Sequence, residues 1–367
     1  MEKESYGIII TSIGNASPVQ IKPIAEKFEI PYEIVLKLIY NAPMIFARNL
    51  KKDIAEKVVI LLTKIGVEAS VEQGEVLQKI ETPTTFDVCV YIKEIEDLPD
   101  TIGILSNFLG THEQKTLELL NSYPCVILGG VSEATVTALK NRVPENVEIS
   151  FANPSTSLYC LELINEDQMA HHQVRQYLKT ISRKENHNIS NSYRDLSYKD
   201  SQAIWRQFQS TGAIRLTNQS FERYEVILEK LNEETPVNSI KDTLHNTMHM
   251  PYEIMDEVLA SLPVQLEDSI NASEVENRIK MYESKGLICD KKKVSNGFRK
   301  LVIDEVEDQK ETIELLSHFI PKENVASQIQ IPWYAPVPLS DLMTRYAIAK
   351  LESIGCDASF EEIEQFV

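Results

Sequence analysis

Pro31-Tyr32-Glu33-Ile34 begins an apolar run that ends at Pro43, and this stretch decides how the fold must be predicted. The same four residues return as Pro251-Tyr252-Glu253-Ile254, again twelve positions before a proline, Pro263. The two copies lie 220 residues apart, which is about three units of 73 residues. A repeat of this period indicates one small supersecondary unit that is copied along the chain. The fold is therefore predicted one unit at a time.

A second repeated feature is a glycine that ends a helical segment and precedes a strand-like run. Glycine adopts the left-handed conformation that commonly terminates helices. The four glycines are Gly66, Gly212, Gly286 and Gly355. Fifteen residues before the last three of them stand residues that cap helix N-termini, namely Ser197, Asn271 and Ser340. In the second unit Ser132 is the predicted cap, and Asn146 stands near the place of the glycine.

Each unit also opens with a short run of β-branched, aliphatic and aromatic residues, as strands do. The strand-like runs are Gly7–Thr11, Phe86–Ile92, Leu158–Ile164, Tyr224–Leu228 and Leu301–Val306. Two helix-period segments, a strand, the capped helix and a last strand follow in most units. We therefore predict an α+β fold of about five tandem β-α-α-β-α-β two-layer domains. Their predicted ranges are 1–80, 84–154, 157–221, 223–294 and 297–367.

The third and fifth units depart from this pattern, so we predict that both are degenerate. Ser182–Asp195 is polar and rich in asparagine where a second helix is expected, and it is predicted to be a loop. The fifth unit has Ile331–Pro338 in the corresponding place, with three prolines. Proline cannot continue a helix, so this segment is predicted to be extended.

Charge and cysteine content limit the partners. The 367 residues include 37 Lys and Arg and 55 Asp and Glu, which gives a net charge of −18. Such a surface repels phosphate groups, so we expect neither nucleic-acid binding nor attraction to anionic membranes. No apolar run is long enough to cross a bilayer, so we expect no membrane insertion. Five dispersed cysteines without a CxxC pair indicate a reducing compartment, and we predict a cytoplasmic protein.

Six short segments of the first two units form a recognisable pattern. They are Ile21-Lys22-Pro23-Ile24, Asn41-Ala42-Pro43, Ile54-Ala55-Glu56-Lys57, Lys64-Ile65-Gly66-Val67-Glu68, Gly130-Val131-Ser132-Glu133 and Ala138-Leu139-Lys140. This pattern resembles the C-terminal domain of the bacterial ribosomal stalk protein. That domain shares its β-α-α-β-α-β fold with the Clp protease adaptor, so the resemblance implies the same fold here.

Both of these families bind other proteins, and neither is an enzyme. The resemblance therefore implies a non-catalytic protein–protein interaction adaptor or scaffold. The stalk domain recruits translational GTPases through basic residues of its first two helices, and Lys22 matches one of those positions. Two alternatives stay open: a peptide-binding adaptor that delivers substrates to a chaperone or protease, and a ribosome- or translation-factor-associated protein.

Residue patterns for catalysis, metal binding or cofactor binding are missing from the sequence. His245 and His249 share a helix face, but no third metal ligand accompanies them. Gly129-Gly130 lacks the lysine and the spacing of a phosphate-binding loop. We therefore predict no enzyme activity, no cofactor and no metal site.

The candidate partner-binding residues lie mainly in the proline-rich segment of the fifth unit. Aromatic residues offer a large rigid contact area, which protein interfaces favour. The alternative is that Trp333 and Tyr334 fill the space left by a missing second helix. Tyr32 and Tyr252 have the same two interpretations. The full set of candidates is Pro332, Trp333, Tyr334, Pro336, Lys22, Tyr32 and Tyr252.

Overall fold

The structure, a computed structural model, describes residues 5–78, 80–122, 124–164, 167–181, 191–232, 234–294, 298–325 and 328–363. These residues form five small antiparallel sheets with associated helices, which we call modules 1 to 5 in chain order. One compact unit contains modules 1, 2 and 5, and a second contains modules 3 and 4. The predicted α+β class with about five repeated two-layer modules is confirmed. That each predicted range folds as an independent domain stays a prediction.

The elements follow the repeat, except that the described residues of modules 3 and 5 contain one α-helix instead of two before the second strand. Module 1 consists of β1 (Tyr6–Ser12), α1 (Pro18–Lys27), α2 (Tyr32–Tyr40), β2 (Met44–Leu50), α3 (Lys52–Lys64), β3 (Glu68–Gln73) and the short α4 (Gly74–Leu77). Module 2 consists of β4 (Thr85–Ile92), α5 (Leu98–Leu109), α6 (Glu113–Leu120), β5 (Val126–Ser132), α7 (Glu133–Lys140) and β6 (Val147–Ala152). Module 3 consists of β7 (Leu158–Leu163), α8 (Gln168–Ile181), β8 (Ser192–Ser197), α9 (Tyr198–Phe208) and β9 (Ile214–Asn218). Module 4 consists of β10 (Arg223–Leu231), α10 (Val237–Met248), α11 (Tyr252–Ala260), β11 (Val264–Asn271), α12 (Val275–Glu283) and β12 (Leu287–Lys293). Module 5 consists of β13 (Phe298–Glu305), α13 (Gln309–Leu316), β14 (Trp333–Tyr334), β15 (Leu339–Ser340), α14 (Asp341–Glu352) and β16 (Asp357–Glu362).

All five sheets have the same strand order. The first strand of each module lies in the centre, the second pairs with one edge and the last pairs with the other, always antiparallel. In module 5 the second strand is split, and β14 and β15 pair in succession along β13 while β16 pairs with β13 as the last strand. The shared order supports the view that one unit was copied.

The helices of each module cover one side of its sheet. In module 1, Ile8 and Ile10 of β1 are fully buried with Ile21 of α1, Ile39 of α2 and Leu62 of α3. Successive strand residues point to opposite sides, so the residues between these isoleucines face away from the helices. We call the covered side the helix face and the other side the open face.

The second strand of modules 1 to 4 carries a β-bulge close to its end, where the pairing register shifts. Each bulge contains one residue with a positive φ: Asn49, Gly130, Asp195 and Ser269. Asn, Asp and Gly adopt this conformation more readily than other residues do. A bulge bends its strand locally. Each strand continues to pair for one or two residues beyond its bulge.

The glycine prediction is confirmed at all four positions, since Gly66, Gly212, Gly286 and Gly355 have positive φ. Gly66 has φ 92°, and a Cβ there would lie 2.8 Å from the backbone nitrogen of Ala16. Both the conformation and the close approach of another backbone therefore require glycine at this position.

The structure confirms two of the four predicted N-terminal caps. The side chains of Ser197 and Ser340 accept hydrogen bonds from amides in the first turns of α9 and α14, as expected. Ser132 precedes α7, but its hydroxyl donates to the carbonyl oxygen of Tyr40. The Asn271 prediction is wrong, because α12 begins at Val275. The side chain of Asn271 instead accepts from the amide of Ser273, which stabilises a turn before the helix.

The irregular segments predicted for modules 3 and 5 are confirmed only in part. Residues 182–190 of the predicted loop lie outside the described residues. The prediction is wrong for the last part of that loop, because Ser192–Ser197 form the edge strand β8, which pairs with β7. The extended path predicted for Ile331–Pro338 is confirmed: Trp333 and Tyr334 pair with β13, and the amide of Ala335 donates to the carbonyl oxygen of Leu301.

Candidate partner-binding surface

The predicted proline-rich segment divides its two aromatic residues between the two faces of the module 5 sheet. Trp333 pairs with Ile303 on the helix face, where only 8% of it is exposed within the module core. Tyr334 pairs with Val302 and therefore lies on the open face, with 41% exposed. Trp333 thus packs in the core, while Tyr334 offers its ring to a partner.

The prolines of the segment lie beside Tyr334. Pro332 and Pro336 are both exposed, and the peptide bond between Ile331 and Pro332 is cis. Ile331 is 49% exposed. Equivalent cis prolines precede the second strands of modules 1 and 4 at Pro43 and Pro263. The position of the proline is therefore a property of the module, while the exposed aromatic residue that follows is particular to module 5.

The register places three residues side by side across the centre of each open face: one from the second strand, one from the first and one from the last. These central rows can be compared directly between modules. They are Ile45–Ile9–Ser70, Val126–Cys89–Ser150, Ser192–Glu162–Arg215, Gln265–Ile227–Asp290 and Tyr334–Val302–Ser359. What covers each row decides whether the face is available to a partner.

In modules 1 and 2 side chains from other helices of the chain contact the open face. Leu77 of α4 packs directly over Gly7, because a Cβ on Gly7 would lie 2.4 Å from its side chain. In module 2 the guanidinium of Arg345, from α14, lies 5.0 Å from the ring centroid of Tyr91 and donates to the carbonyl oxygen of Ile92. The central residues Ile9 and Cys89 are buried, and so is the central Val302 of module 5, so neighbouring side chains of the sheet itself suffice to bury this position.

In module 3 the open face is polar and is closed by charges from module 4. Lys293 of β12 lies 3.4 Å from a carboxylate oxygen of Glu162 and 2.9 Å from one of Glu222. Arg194 donates two hydrogen bonds to the fully buried Glu222, and Tyr224 donates a third at 2.7 Å. We call these five residues the ionic cluster. Its charges pair with one another, so the cluster joins the two modules.

The pKa values in the ionic cluster follow from this pairing. Burial by itself would raise the pKa of Glu222, but the hydrogen bonds from Arg194 and the charge of Lys293 outweigh it and lower that pKa. Burial and the hydrogen bond to Glu222 raise the pKa of Tyr224 to about 12. Glu222 is thus held in its charged form, which suits a structural ion pair rather than proton transfer.

The open face of module 4 carries exposed polar and charged residues. The row centred on Ile227 is flanked by exposed Gln265 and Asp290, and Glu225 forms an ion pair with Lys292 at 3.6 Å. Glu225 is buried and Lys292 is exposed, so only one partner of this ion pair is shielded from solvent.

The open face of module 5 combines exposed aromatic rings with charge. Phe298 is 40% exposed at one end of β13, and Tyr334 is 41% exposed near its middle. The ammonium of Lys300 lies 4.8 Å from the centroid of the Tyr334 ring. Asp304 is exposed beyond Val302, and its carboxylate accepts from Ser359 at 3.4 Å. We call Phe298, Lys300, Val302, Asp304 and Tyr334 the module 5 surface.

The other candidate residues lie elsewhere. Lys22 is exposed on α1, and Tyr32 is half-buried, with its hydroxyl donating to the carbonyl oxygen of Pro18. Tyr252 is 44% exposed and donates to Asp242 in the other compact unit. The structure therefore brings only Tyr334 and its neighbouring prolines into one surface, and the partner-binding roles of all these residues stay predictions.

The histidines show structural contacts. His245 lies 3.0 Å from the carbonyl oxygen of Met250 and stacks 4.4 Å from the Tyr252 ring, while His249 ends α10 with a positive φ. Within the described ranges, no group of three or more His, Cys, Asp or Glu residues is placed to hold a metal ion.

Over the same ranges, no helix combines the length and apolar character needed to cross a bilayer.

Sequence reasoning missed Phe298, Lys300 and Asp304 as members of the surface. Their alternation with Arg299, Leu301 and Ile303 was visible in the sequence. The alternation does not show which of the two sets of side chains faces the helices and which lies on the open face. The strongest available signal was the break in the repeat at the prolines.

Comparison with protein families, with curated proteins and with solved structures found no match. The resemblance to the stalk domain and the Clp adaptor therefore stays a prediction.

Proposed function

We propose that the chain is a non-catalytic, cytoplasmic adaptor or scaffold that binds a partner protein through the module 5 surface. The observation that carries this proposal is the exposure of Tyr334 and Phe298 on an open face. On modules 1 and 2 the side chains of Leu77 and Arg345 contact the equivalent face, and on module 3 that face carries ion pairs with Lys293. Module 5 retains 41% and 40% exposure at its two aromatic residues.

The physical basis is the removal of aromatic surface from water. Burying apolar area is favourable by about 25 cal/mol per Å². Tyrosine is enriched among the residues that dominate interface energies, because its ring is large and loses little entropy on binding. Tyr334 is also held in place before binding, since its backbone pairs with Val302 and its ring contacts Lys300. Preorganisation of this kind lowers the cost of association.

The test is quantitative affinity purification of the full chain from its native cell, comparing wild type with Tyr334→Ala. Tyr252→Ala is the matched control, because Tyr252 is 44% exposed on another module. Each partner recovered with wild type is then purified and titrated against the three proteins. We expect Tyr334→Ala to reduce the affinity for the partner by about tenfold or more, and Tyr252→Ala to leave the affinity unchanged.

Two results would contradict the proposal. A partner that binds wild type and Tyr334→Ala equally well would show that the module 5 surface is not its binding site. If the partner is a ribosomal protein or translation factor and Lys22→Ala abolishes binding, the function lies in module 1 and the alternative predicted from the stalk resemblance is supported.

A further inference from the structure

We infer that two copies of the chain associate, with helix α9 of module 3 in one copy packing on module 4 of the other. This inference goes beyond the proposed function and does not involve the module 5 surface. It draws on an interface that the chain forms twice within its first compact unit, on a module whose corresponding face is exposed, and on an exposed helix with the residues that this interface uses.

The first copy of the interface joins module 2 to module 1. Ser132, which precedes α7, donates to the carbonyl oxygen of Tyr40 at the end of α2, and Thr135 donates to the same oxygen at 2.8 Å. Arg142, just beyond α7, donates at 2.9 Å to the carbonyl oxygen of Ala16 in the loop between β1 and α1. Module 2 therefore contacts module 1 at the end of its second helix and at the loop after its first strand.

The second copy joins module 5 to module 2 at the same two places. Ser340, the N-cap of α14, donates at 2.7 Å to the side-chain oxygen of Asn121 at the end of α6. Arg345 of α14 donates at 2.8 Å to the carbonyl oxygen of Ile92, where the loop after β4 begins. Leu342 of the same helix belongs to the apolar core that contains residues of modules 1 and 2.

The two contacts define two surfaces of the module. We call the end of the second helix together with the loop after the first strand the docking face. We call the third helix, with a serine at its N-terminus and an arginine further on, the docking helix. Because the two surfaces differ, the interface is heterologous, and a module can use both at once. Module 2 does so, since its docking helix contacts module 1 while its docking face contacts module 5.

The order of the modules leaves one docking face and one docking helix over. Among the described residues, modules 1, 2 and 4 have two helices before the second strand and thus a complete docking face. Module 5 follows module 4 in the sequence, but it belongs to the first compact unit and contacts the docking face of module 2. That face is therefore not available to module 3, which follows module 2 in the sequence. Module 4 supplies the remaining face, and α9 of module 3 is the remaining helix of this kind.

Burial distinguishes the docking face of module 4 from that of module 1. In module 1 the loop residues Ala16 and Pro18 are buried. In module 4 Glu234 and Pro236 of the corresponding loop are exposed, and so is Ala260 at the end of α11. The docking face of module 4 is thus open to solvent. It also presents the carboxylate of Glu234 at the loop that arginines contact in modules 1 and 2.

Helix α9 has the residues of a docking helix. Its N-cap, Ser197, is exposed, and Arg206 is exposed nine residues later. In module 2 the corresponding serine and arginine are ten residues apart. Tyr198 and Trp205 of α9 are 37% and 39% exposed, so an interface here would remove aromatic surface from water. The third helices of modules 1 and 4 differ, because their N-caps are lysine and glutamate.

The charges of the two surfaces are complementary. The guanidinium of Arg206 would meet the carboxylate of Glu234, and charge-assisted bonds between such groups are among the stronger polar contacts. Within one chain, modules 3 and 4 are already joined in another way, through the ion pairs of Lys293 with Glu162 and Glu222. The helix α9 that packs on module 4 therefore comes from a second copy.

The experiment is sedimentation velocity of the full chain over a wide range of protein concentrations. The variants are Arg206→Glu, Glu234→Arg and the two combined. Matched charge reversals at exposed residues of other helices are the controls, namely Lys57→Glu on α3 and Glu314→Arg on α13. Circular dichroism of each variant checks that it is folded, and the combined variant provides a gain that misfolding cannot produce.

We expect wild type to associate as its concentration rises. Arg206→Glu and Glu234→Arg should each weaken association by about tenfold or more, and the combined variant should recover to within about threefold of wild type. Both controls should match wild type. Tyr334→Ala, which tests the proposed function, should also sediment as wild type does, so the two proposals fail separately.

Three results would overturn the inference. Wild type that stays monomeric at every concentration would show that the two surfaces do not bind each other. Association that is equally strong in wild type, Arg206→Glu and Glu234→Arg would place the contact elsewhere. A loss in Lys57→Glu without a loss in Arg206→Glu would assign the docking helix to α3 of module 1 instead of α9.

Discussion

Replacing two adjacent residues, Trp333 and Tyr334, by alanine should have opposite effects on stability and binding. Trp333 is 8% exposed and packs in the same apolar cluster as Leu316, Ile320 and Ile329. Truncating a buried tryptophan to alanine costs about 3–5 kcal/mol, because apolar contacts are lost and a cavity remains. Trp333→Ala is therefore expected to destabilise module 5 strongly.

Tyr334→Ala should cost far less. Its ring is 41% exposed, and its contact with the Lys300 ammonium is worth about 0.5–1 kcal/mol at an exposed site. We expect a total loss of about 1 kcal/mol. The two substitutions affect neighbouring residues of one short strand, so the difference between them depends on the face to which each side chain points.

Hydrogen exchange measured by mass spectrometry gives the comparison, read at the amides of β13. Exchange from a strand requires local opening, and each ~1.4 kcal/mol of lost stability speeds it about tenfold. Trp333→Ala should accelerate exchange at Leu301–Ile303 by about a hundredfold or more, and Tyr334→Ala by about tenfold at most. Equal acceleration in the two variants, or a larger effect of Tyr334→Ala, would refute the assignment of the two faces.

Three further predictions concern the rest of the chain. Gly66→Ala should destabilise module 1 by about 1–2 kcal/mol or more, because of the positive φ and the nearby Ala16 backbone. Gly103→Ala should stabilise its module by up to about 1 kcal/mol, because Gly103 lies in helix α5 with open space around its Cα. Chemical denaturation followed by hydrogen exchange distinguishes the two effects. Glu222→Gln should cost about 3 kcal/mol in the unit of modules 3 and 4, because Arg194 and Lys293 lose their buried counter-charge, while Glu276→Gln, at an exposed pair with Lys291, should change stability by less than about 1 kcal/mol. Since the pKa of Glu222 is lowered in the folded chain, its stabilisation is complete above the ordinary glutamate pKa of about 4.3 and disappears as the pH falls through the lowered value. In thermal melts between about pH 7 and about pH 3, the melting temperature should therefore fall further in wild type than in Glu222→Gln. Equal falls in the two proteins would contradict this role of Glu222.

Much of the fold could be predicted because its signals are local. A glycine such as Gly66 reports its own left-handed backbone, and Ser197 or Ser340 bonds to an amide three residues away. Asn271 gave the same signal but stabilises a turn, because the side chain cannot show whether the following residues continue into a helix. The bulge at Ser269 has no comparable signal, since serine rarely adopts a positive φ.

The candidate surface depended on information that a single segment does not contain. Adjacent strand residues point to opposite faces, so Trp333 and Tyr334 had to differ, but the pairing with Ile303 and Val302 decides which one is buried. Whether an open face is covered depends on distant residues such as Leu77 or Arg345. These contacts follow from tertiary packing, which the repeat alone does not determine.

Site-specific photo-crosslinking tests most directly whether the module 5 surface binds the partner. The photoreactive residue benzoylphenylalanine is placed at position 334 in one protein and at position 252 in another, because both tyrosines are similarly exposed. Irradiation of the complex with the purified partner should yield a covalent adduct from position 334 and none from position 252. An adduct from position 252 alone would contradict the account.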